Sequence, residues 1–350
     1  MLVENLICTI GISSFLEPLL MRFYFYKIVI GGDEKMILLD RQKSEQHKIL
    51  EVLIRRLPST HTEYMNYFEK LRRIHAGFAG EQRVDAEWLE IILPHPHYFL
   101  HNLQILNHFG TTHQIDTVLL CPQFILILEI KNVTGFLDFD ESFNQFTRTT
   151  AEGDVEGMTN PLHQGMRHME WMMVMLQQSR LEIPVHYAVV FATKNAILSK
   201  SLRGQPIFHV SGLRYYVREL FQQHKEAAYD QEKLFHFASK LMSMHRPIKR
   251  EMALPVQDIV KGVLCESCLN GQTMIYRYPK WYCQRCGTVD QEAIFRTLED
   301  YRLLVGKSLT NKSFCEFFKI DSPNTAYKLL RKLPLKAEGT KSNRKYLIGN

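Results

Sequence analysis

Apolar residues recur every three or four positions in the segment that follows the first forty residues. Between residues 46 and 57, basic residues separate the apolar members of this pattern, which are Ile49, Leu50, Leu53, Ile54 and Leu57. The spacing predicts an amphipathic helix that ends before Pro58. A second helical pattern occupies residues 62–93. Four arginines of these two helices are expected to lie on solvated faces, with contact to DNA as the alternative: Arg55, Arg56, Arg72 and Arg73.

Farther along the chain, short runs rich in β-branched and aromatic residues alternate with turn residues. They predict strands over residues 98–105, 114–121, 124–130, 135–139, 185–192 and 206–210, and helices over residues 161–178 and 213–224. The first three runs predict an antiparallel meander. The run 124–130 is apolar except for Glu129, so we expect a central strand buried on both faces. This order of elements favours an α/β fold with a partly antiparallel sheet.

The composition excludes several classes of protein. Hydrophobic residues make up 45% of the 350 positions, which is enough for real cores and excludes wholesale disorder. The sequence has no repeat period and no low-complexity block, which excludes a solenoid or a fibrous protein. A chain of this length is expected to hold about two or three domains.

The first 35 residues raise the question of a membrane segment. Acidic and basic residues interrupt the apolar stretch from Leu6 to Ile30, so we predict neither a transmembrane helix nor a signal peptide. Gly31-Gly32-Asp33 is compatible with a bacterial ribosome-binding sequence just upstream of Met36. We therefore expect residues 1–35 to be an extension that is either untranslated or disordered. The rest is expected to be a bacterial cytoplasmic protein with no membrane contact.

Basic charge is concentrated at the C-terminal end. Residues 263–350 hold 15 Lys and Arg against 8 Asp and Glu, although the net charge of the whole chain is only +6. Such a local excess on one face is the mark of an anionic partner, of which nucleic acid is the commonest. The alternative is an ordinary solvated surface.

The strongest chemical signal is a set of charged residues on two neighbouring predicted strands. Asp116 lies near the start of one strand, and Glu129 and Lys131 lie at the end of the next. Residues two apart in a strand share a face, and pairing as a hairpin would bring Asp116 beside them. Two carboxylates and an ammonium suit a phosphodiesterase that holds Mg²⁺ or Mn²⁺ through the carboxylates. The alternative is a Glu–Lys pair at a strand edge.

This set resembles the PD-(D/E)xK nuclease signature, and a wider set of motifs is similar to the nuclease-related domain, often called NERD. The motifs are, in order, Gly77-Phe78-Ala79-Gly80-Glu81, His113-Gln114-Ile115-Asp116, Glu129-Ile130-Lys131-Asn132, Gly135, Asn144-Gln145 and Asn160-Pro161-Leu162-His163-Gln164. The resemblance implies a restriction-endonuclease-like fold in which Glu81 joins Asp116 and Glu129 around a divalent metal. It also implies that Lys131 acts in catalysis and that Gln164 positions phosphate or water.

Some of these residues also have simpler interpretations. Glu81 is alternatively a first-turn glutamate favoured by the helix dipole. Gln164 is alternatively a surface residue of the helix that Asn160 caps. His113 and His168 are expected to be structural or solvated.

Four of the seven cysteines form two Cys-x-x-Cys pairs, separated by 14 residues. The first pair is Cys265 and Cys268, and the second is Cys283 and Cys286. Two such pairs joined by a spacer of hairpin length can close a tetrahedral site, so the spacing predicts a structural zinc ribbon. Zinc held by four thiolates would contribute to folding and not to catalysis. The alternative is a redox-active dithiol pair.

The segment beyond the ribbon predicts two short helices, over residues 310–318 and 325–333, and then a basic hairpin. Ser322 or Asn324 is expected to cap the second helix. This order is typical of a helix-turn-helix with a wing. The arrangement would place phosphates against the basic residues of this segment, which are Lys328, Arg331 and Lys332 or the cluster Lys341–Lys345. The alternative is a protein-binding helical hairpin.

These predictions divide the chain into segments. They are the extension 1–35, a helical lead-in 36–74, the nuclease-like domain 75–225, a helical linker 226–262, the zinc ribbon 263–290 and a basic helical segment 291–350. The predicted function is metal-dependent hydrolysis of phosphodiester bonds in nucleic acid, with DNA favoured as substrate. The alternative is a non-catalytic nucleic-acid-binding protein, or one that docks on a DNA-processing protein partner.

Overall fold

The computed structural model describes residues 26–30, 33–94, 96–106, 110–226, 230–247, 252–268, 271–340 and 343–349. Most of the expected N-terminal extension lies outside the described residues, as does Lys341 of the basic cluster. The chain divides into two compact units. The sheet unit consists of Met1–Gln42 and Gly80–Arg246, and the ribbon unit consists of Lys43–Ala79 and Pro247–Asn350.

The predicted helices and the predicted strands of the sheet unit are present, and the described part of the sheet unit has five strands that were not predicted, namely β1, β2, β7, β8 and β10. The helices are α1 (Glu45–Arg56), α2 (Tyr64–Trp88), α3 (Pro161–Gln178), α4 (Leu213–Gln223), α5 (Gln231–Met244), α6 (Ala293–Leu304), α7 (Asn311–Phe318) and α8 (Pro323–Leu330). The strands of the sheet unit are β1 (Tyr26–Ile30), β2 (Asp33–Leu39), β3 (Tyr98–Leu106), β4 (Thr112–Leu120), β5 (Ile125–Lys131), β6 (Gly135–Asp140), β7 (Gln145–Thr149), β8 (Val155–Met158), β9 (Val185–Phe191), β10 (Ala196–Leu198) and β11 (Ile207–His209). The strands of the ribbon unit are β12 (Val263–Leu264), β13 (Thr273–Arg277), β14 (Lys280–Tyr282), β15 (Val289–Asp290), β16 (Ser308–Leu309), β17 (Lys336–Glu338) and β18 (Lys345–Leu347). Among the described residues, no helix is long and apolar enough to cross a membrane.

The main sheet of the sheet unit has the strand order β1-β2-β3-β4-β5-β9-β11. Strands β3, β4 and β5 form the predicted antiparallel meander, whereas β5, β9 and β11 run parallel to one another. The sheet is therefore mixed, with helices packed against it. The predicted α/β fold with a partly antiparallel sheet is confirmed.

Strand β5 is buried on both faces, as its continuous apolar run predicted. Ile125 and Ile127 belong to a core with Met172 of α3 and Phe237 of α5. The alternate residues of β5 belong to another core, together with residues of α2 and α4. Helices thus cover both faces of the central strand, because successive side chains of a strand point to opposite faces. The segment 226–262, expected to be a helical linker, contains α5, and α5 supplies part of the first core.

A second, smaller sheet has the order β10-β6-β7-β8. Strand β6 was predicted, but β7 and β8 were not. Both are short, and most of their residues are at least partly exposed, so they lack the apolar alternation that identifies a strand from sequence. Leu137 and Phe146 anchor this sheet in a core of its own with Phe191.

In the ribbon unit, α1 packs in one core with the zinc-ribbon strands and the C-terminal helices. The expectation that Arg56 lies on a solvated helix face is wrong. Arg56 is fully buried, its Nε donates to Asp300 Oδ2 at 2.8 Å, and its Nη1 donates to the carbonyls of Val260 and Gly262. These hydrogen bonds, together with the ion pair of Arg56 Nη2 and Asp300 Oδ2 at 2.6 Å, offset the cost of burying the guanidinium.

The C-terminal part of the ribbon unit has the element order helix, strand, helix, helix and two strands. The strands pair in the order β16-β18-β17, so β17 and β18 form a hairpin after α8. Thr310 caps α7. Ser322 caps α8, with Pro323 in the first turn, and Ser322 was one of the two residues predicted for this cap. This arrangement is typical of a winged helix-turn-helix.

Candidate functional site

The β4–β5 hairpin brings together the acidic residues that the sequence singled out. Thr117 of β4 is the register partner of Leu128 of β5, so Asp116 and Glu129 come next along the two strands. The backbone N–H of Ile130 donates to Asp116 Oδ2 at 2.7 Å. Both carboxylates are buried, with Asp116 8% and Glu129 4% exposed.

Lys131 joins the Glu129 carboxylate to helix α3. Its Nζ donates to Glu129 Oε1 at 2.7 Å and to Gln164 Oε1 at 2.9 Å. Gln164 stands in the first turn of α3, whose start is fixed by Asn160, because the Asn160 side chain accepts from the Leu162 N–H at 3.0 Å. The Lys131 side chain is 23% exposed, so solvent reaches this end of the site.

Glu81 lies in the same unit but contacts a cation and not the other two carboxylates. Arg41 Nη1 pairs with Glu81 Oε2 at 2.6 Å, and Arg41 Nε pairs with Asp85 Oδ2 at 2.5 Å. Arg41 Nη2 also donates to the backbone carbonyl of Asp116 at 3.1 Å and to Thr117 Oγ1 at 2.8 Å. This buried guanidinium therefore links the helix carboxylates to strand β4.

Sequence reasoning missed Arg41. It follows strand β2 without a motif around it, and its partners are 40 or more positions away along the chain. Asn102 was missed as well. It has φ +51 inside β3, between the register pairs His101–Thr117 and Leu103–Ile115, so it distorts the ladder beside Asp116. Its Oδ1 accepts from Arg41 Nη1 at 3.2 Å. A left-handed residue that is not glycine is often held at a functional site.

Burial and mutual repulsion change the acidity of the three carboxyl groups. Burial, and then the charge of Glu129, raise the pKa of Asp116 to about 7. Burial raises the pKa of Glu129 against the opposing effect of Lys131. Burial and the charge of Asp116 also raise the pKa of Glu81, although Arg41 opposes this. The site therefore holds more buried negative charge than its own cations neutralise.

A buried histidine lies against Glu129. His168 of α3 is 1% exposed, and its Nε2 lies 3.8 Å from Glu129 Oε2. His168 Nδ1 lies 3.0 Å from His113 Nδ1. Burial, and then the neighbouring His113, lower the pKa of His168 to about 3, so its imidazole is neutral at physiological pH.

The donor set at Asp116 and Glu129 fits a hard divalent cation. Their oxygens are the ligands that Mg²⁺ and Mn²⁺ prefer, and Mg²⁺ is usually held by one or two carboxylates while it keeps several waters. A cation there would also offset the burial of both carboxylates and the charge of Glu129, which together raise the pKa of Asp116. The third carboxylate fits less well. Within the described residues, Glu81, Asp116 and Glu129 do not form a group whose ligand atoms all lie within 4.8 Å of one another.

The four predicted cysteines form a second ligand cluster, in the ribbon unit. Cys265 Sγ lies 3.6 Å from Cys286 Sγ, and Cys268 Sγ lies 3.7 Å from Cys283 Sγ. At the second pair the Gly287 N–H donates to the Cys283 carbonyl at 2.9 Å, and Gly287 has φ +74, a conformation that glycine adopts without strain. The cluster is consistent with a zinc ribbon.

Comparison with known proteins agrees with this description. Residues 76–192 match the family model described as nuclease-related domain, or NERD, which is consistent with the PD-(D/E)xK superfamily. A stretch of 99 residues is 29% identical to an uncharacterized protein of Bacillus anthracis. That stretch is 27% of this chain and spans about half, 46%, of that protein. No solved structure matches the chain. A nuclease-related domain suggests interaction with nucleic acid and a divalent metal.

Proposed function

We propose that this protein is a metal-dependent nuclease that hydrolyses phosphodiester bonds in nucleic acid, with DNA as the favoured substrate. The observation that carries the proposal is the convergence of Asp116, Glu129 and Lys131 at the end of a buried hairpin inside the segment that matches the nuclease-related domain. The raised pKa of Asp116, about 7, supports it, because strongly shifted carboxyl groups concentrate at functional sites.

The side chains have different roles in this proposal. Asp116 and Glu129 would hold Mg²⁺ or Mn²⁺, which would supply a Lewis acid and activate water for attack on the phosphodiester. Lys131 presents its ammonium to the phosphate at the solvent side of the site and offsets charge that develops there. Gln164 fixes Lys131 through its Oε1. Glu81 is the third proposed metal ligand, and its ion pair with Arg41 competes with that role.

We assign the delivery of nucleic acid to the ribbon unit. Helix α8 and its C-terminal end expose Lys328, Arg331 and Lys332, and the Lys332 ammonium lies 4.9 Å from the ring centroid of Tyr278, a residue of the ribbon. Lys345 of β18 is exposed on the wing. Such basic side chains on a winged helix-turn-helix suit contacts to phosphates. Zinc held by the four cysteines has a structural role, and a cluster of reduced thiolates fits the cytoplasm.

A second candidate is a nucleic-acid-binding protein without catalysis, or one that docks on a DNA-processing partner. The ion pairs favour this reading, because Arg41 already binds Glu81 and Lys131 already binds Glu129. Those protein cations satisfy two carboxylates with no metal. A site satisfied in this way is compatible with a fold that has kept its charges and lost its reaction.

The test is cleavage of labelled single-stranded DNA, double-stranded DNA and RNA in Mg²⁺, Mn²⁺ or EDTA. Wild type is compared with Glu129→Ala, Lys131→Ala and, as a matched control, Lys194→Ala, an exposed lysine of the same unit. Cleavage that needs metal, survives in the control and is lost in the other two variants supports the nuclease. If no substrate is cut while all four proteins bind DNA alike, the second candidate replaces the first.

A further inference from the structure

The lead-in helix of the ribbon unit carries another group of metal-binding side chains. His47 and Glu51 of α1 and His75 of α2 offer one ligand atom each, and these three atoms all lie within 4.8 Å of one another. His47 and Glu51 are one helical turn apart, so they share a face of α1. The group involves none of the carboxylates of the proposed nuclease site and none of the ribbon cysteines.

The buried histidine has an unused ligand atom. His47 is 1% exposed, and within the described part of the chain its Nε2 has no hydrogen-bond partner. A buried polar atom without a partner carries a desolvation cost, so such atoms in native proteins commonly face a water, an ion or another ligand. Burial lowers the pKa of His47, which keeps its imidazole in the neutral form that binds metals. The rings of His75 and Phe78 enclose it, each with its centroid 5.6 Å away.

The distances require only a small adjustment. Ligands of a tetrahedral zinc ion lie roughly 3.3–3.4 Å apart, given metal–ligand bonds of about 2.0–2.1 Å. His47 Nε2 already lies 3.5 Å from Glu51 Oε1. The remaining ligand atoms lie within 4.8 Å of one another, so they must approach by about 1 Å to reach tetrahedral zinc distances. His75 is exposed and the Glu51 side chain is 35% exposed, so rotation of both side chains can bring their ligand atoms closer.

We propose that His47, Glu51 and His75 bind a divalent transition-metal ion of the zinc type that ties α1 to α2. Two imidazoles and one carboxylate are a common zinc ligand set, and three protein ligands leave a fourth position for water. Lys43 competes with the ion, because its Nζ pairs with Glu51 Oε1 at 2.6 Å. The site does not depend on the proposed nuclease activity.

The experiment measures bound zinc per chain in the full, untagged protein by equilibrium dialysis against Zn²⁺ at pH 7.5, followed by elemental analysis. Wild type is compared with His75→Ala and Glu51→Gln, and with His163→Ala as a control, an exposed histidine of α3. The first two variants replace side chains that are at least partly exposed, so the fold is expected to survive. Wild type and the control are expected to hold one zinc ion more than either variant.

A further variant separates metal binding from a structural role. Lys43→Ala removes the competing ammonium and is expected to tighten the binding of this zinc ion several-fold. Equal zinc content and equal zinc affinity in wild type, His75→Ala and Glu51→Gln would overturn the proposal. So would a Lys43→Ala protein whose zinc affinity is unchanged.

Discussion

The acidic site of the sheet unit and the cysteine site of the ribbon unit are two ligand sets that the protein stabilises in different ways. Other protein groups offset the charge of each carboxylate. Lys131 does so for Glu129, Arg41 for Glu81 and the Ile130 N–H for Asp116. The cysteine sulfurs face one another across 3.6 and 3.7 Å. Four thiolates cannot stay that close without a cation, whereas the carboxylates already have partners.

This difference indicates which of the two units needs a metal ion in order to fold. The sheet unit should fold with or without a divalent cation, and its metal should matter for chemistry. The ribbon unit should need its zinc to fold, because the ribbon strands share one core with α1 and the C-terminal helices.

The largest effect is expected from Cys283→Ser. Cys283 is buried, and structural zinc contributes roughly 10–16 kcal/mol of binding free energy to small zinc domains. The variant should lose the ribbon zinc and, because α1 belongs to the same unit, also the zinc ion proposed for His47, Glu51 and His75. Limited proteolysis should cut the ribbon unit while it spares the sheet unit. Cys315→Ser, at a cysteine outside the cluster, should retain both zinc and protection. Equal digestion of the two units in the Cys283 variant would break the comparison.

A smaller but still large effect is expected from Arg41→Ala. The Arg41 side chain is 3% exposed, and its removal leaves Glu81 and Asp85 without their cation. Removing one partner of a buried ion pair costs roughly 3–5 kcal/mol of the free energy of unfolding. Urea denaturation measures the loss. The control is Arg83→Ala, an exposed arginine of α2, the helix that carries Glu81 and Asp85. An unchanged free energy of unfolding would mean that Arg41 does not balance this site.

The parts of the fold that could be predicted are those encoded by residues close together in the sequence. The β4–β5 hairpin follows from two apolar runs separated by a turn, and strand pairing then places Asp116 beside Glu129. The Cys-x-x-Cys pairs and the caps at Asn160 and Ser322 are equally local. Each signal lies within about twenty residues of sequence, where periodicity and turn chemistry decide the structure.

The contacts that could not be predicted join distant parts of the chain. Arg56 and Asp300 are 244 positions apart, and no pattern around either residue reports the other. Arg41 likewise lies in no recognisable motif, so its ion pair with Glu81 could not be predicted from the sequence. The His47–Glu51–His75 group was missed because its histidines belong to different helices. Tertiary packing creates all three.

A further prediction concerns pH. The pKa of Asp116 is about 7 in the folded protein and 3.8 as its ordinary value, so the folded state binds the proton more tightly. The stability that this group contributes is fully present below about pH 4 and is lost as pH rises through about 7. In EDTA at pH 8, Asp116→Asn should therefore exceed wild type in stability by roughly 4 kcal/mol. At pH 4 and below this advantage should be absent.

Urea denaturation at several pH values checks this, with Asp154→Asn as an exposed control. At pH 8, Mg²⁺ or Mn²⁺ should raise the stability of the wild-type protein, because the cation takes the place of the proton on the Asp116 carboxylate. The stability of Asp116→Asn should not change with these cations. Parallel pH profiles for wild type and Asp116→Asn would show that the carboxyl group is not under electrostatic stress.

The smallest effect is expected on the ribbon unit's surface. Lys328→Ala should weaken DNA binding slightly and lower the slope of log affinity against log salt by about one, because one phosphate contact is lost. Lys312→Ala is the matched control, since Lys312 is an exposed lysine of the neighbouring helix α7. Fluorescence anisotropy over a salt series measures both slopes. Identical slopes for the two variants would remove α8 from the proposed interface.

Single-turnover cleavage of a labelled DNA duplex in Mn²⁺ tests whether Asp116 and Glu129 act in hydrolysis. The comparison is between wild type, Asp116→Asn and Glu141→Gln, an exposed acidic residue of the same unit. Because Asp116→Asn is not expected to destabilise the fold, lost cleavage cannot be attributed to unfolding. We expect the cleavage rate of Asp116→Asn to be lower than that of wild type by roughly three orders of magnitude, and the rate of Glu141→Gln to be unchanged. Cleavage by Asp116→Asn at the wild-type rate would contradict this expectation.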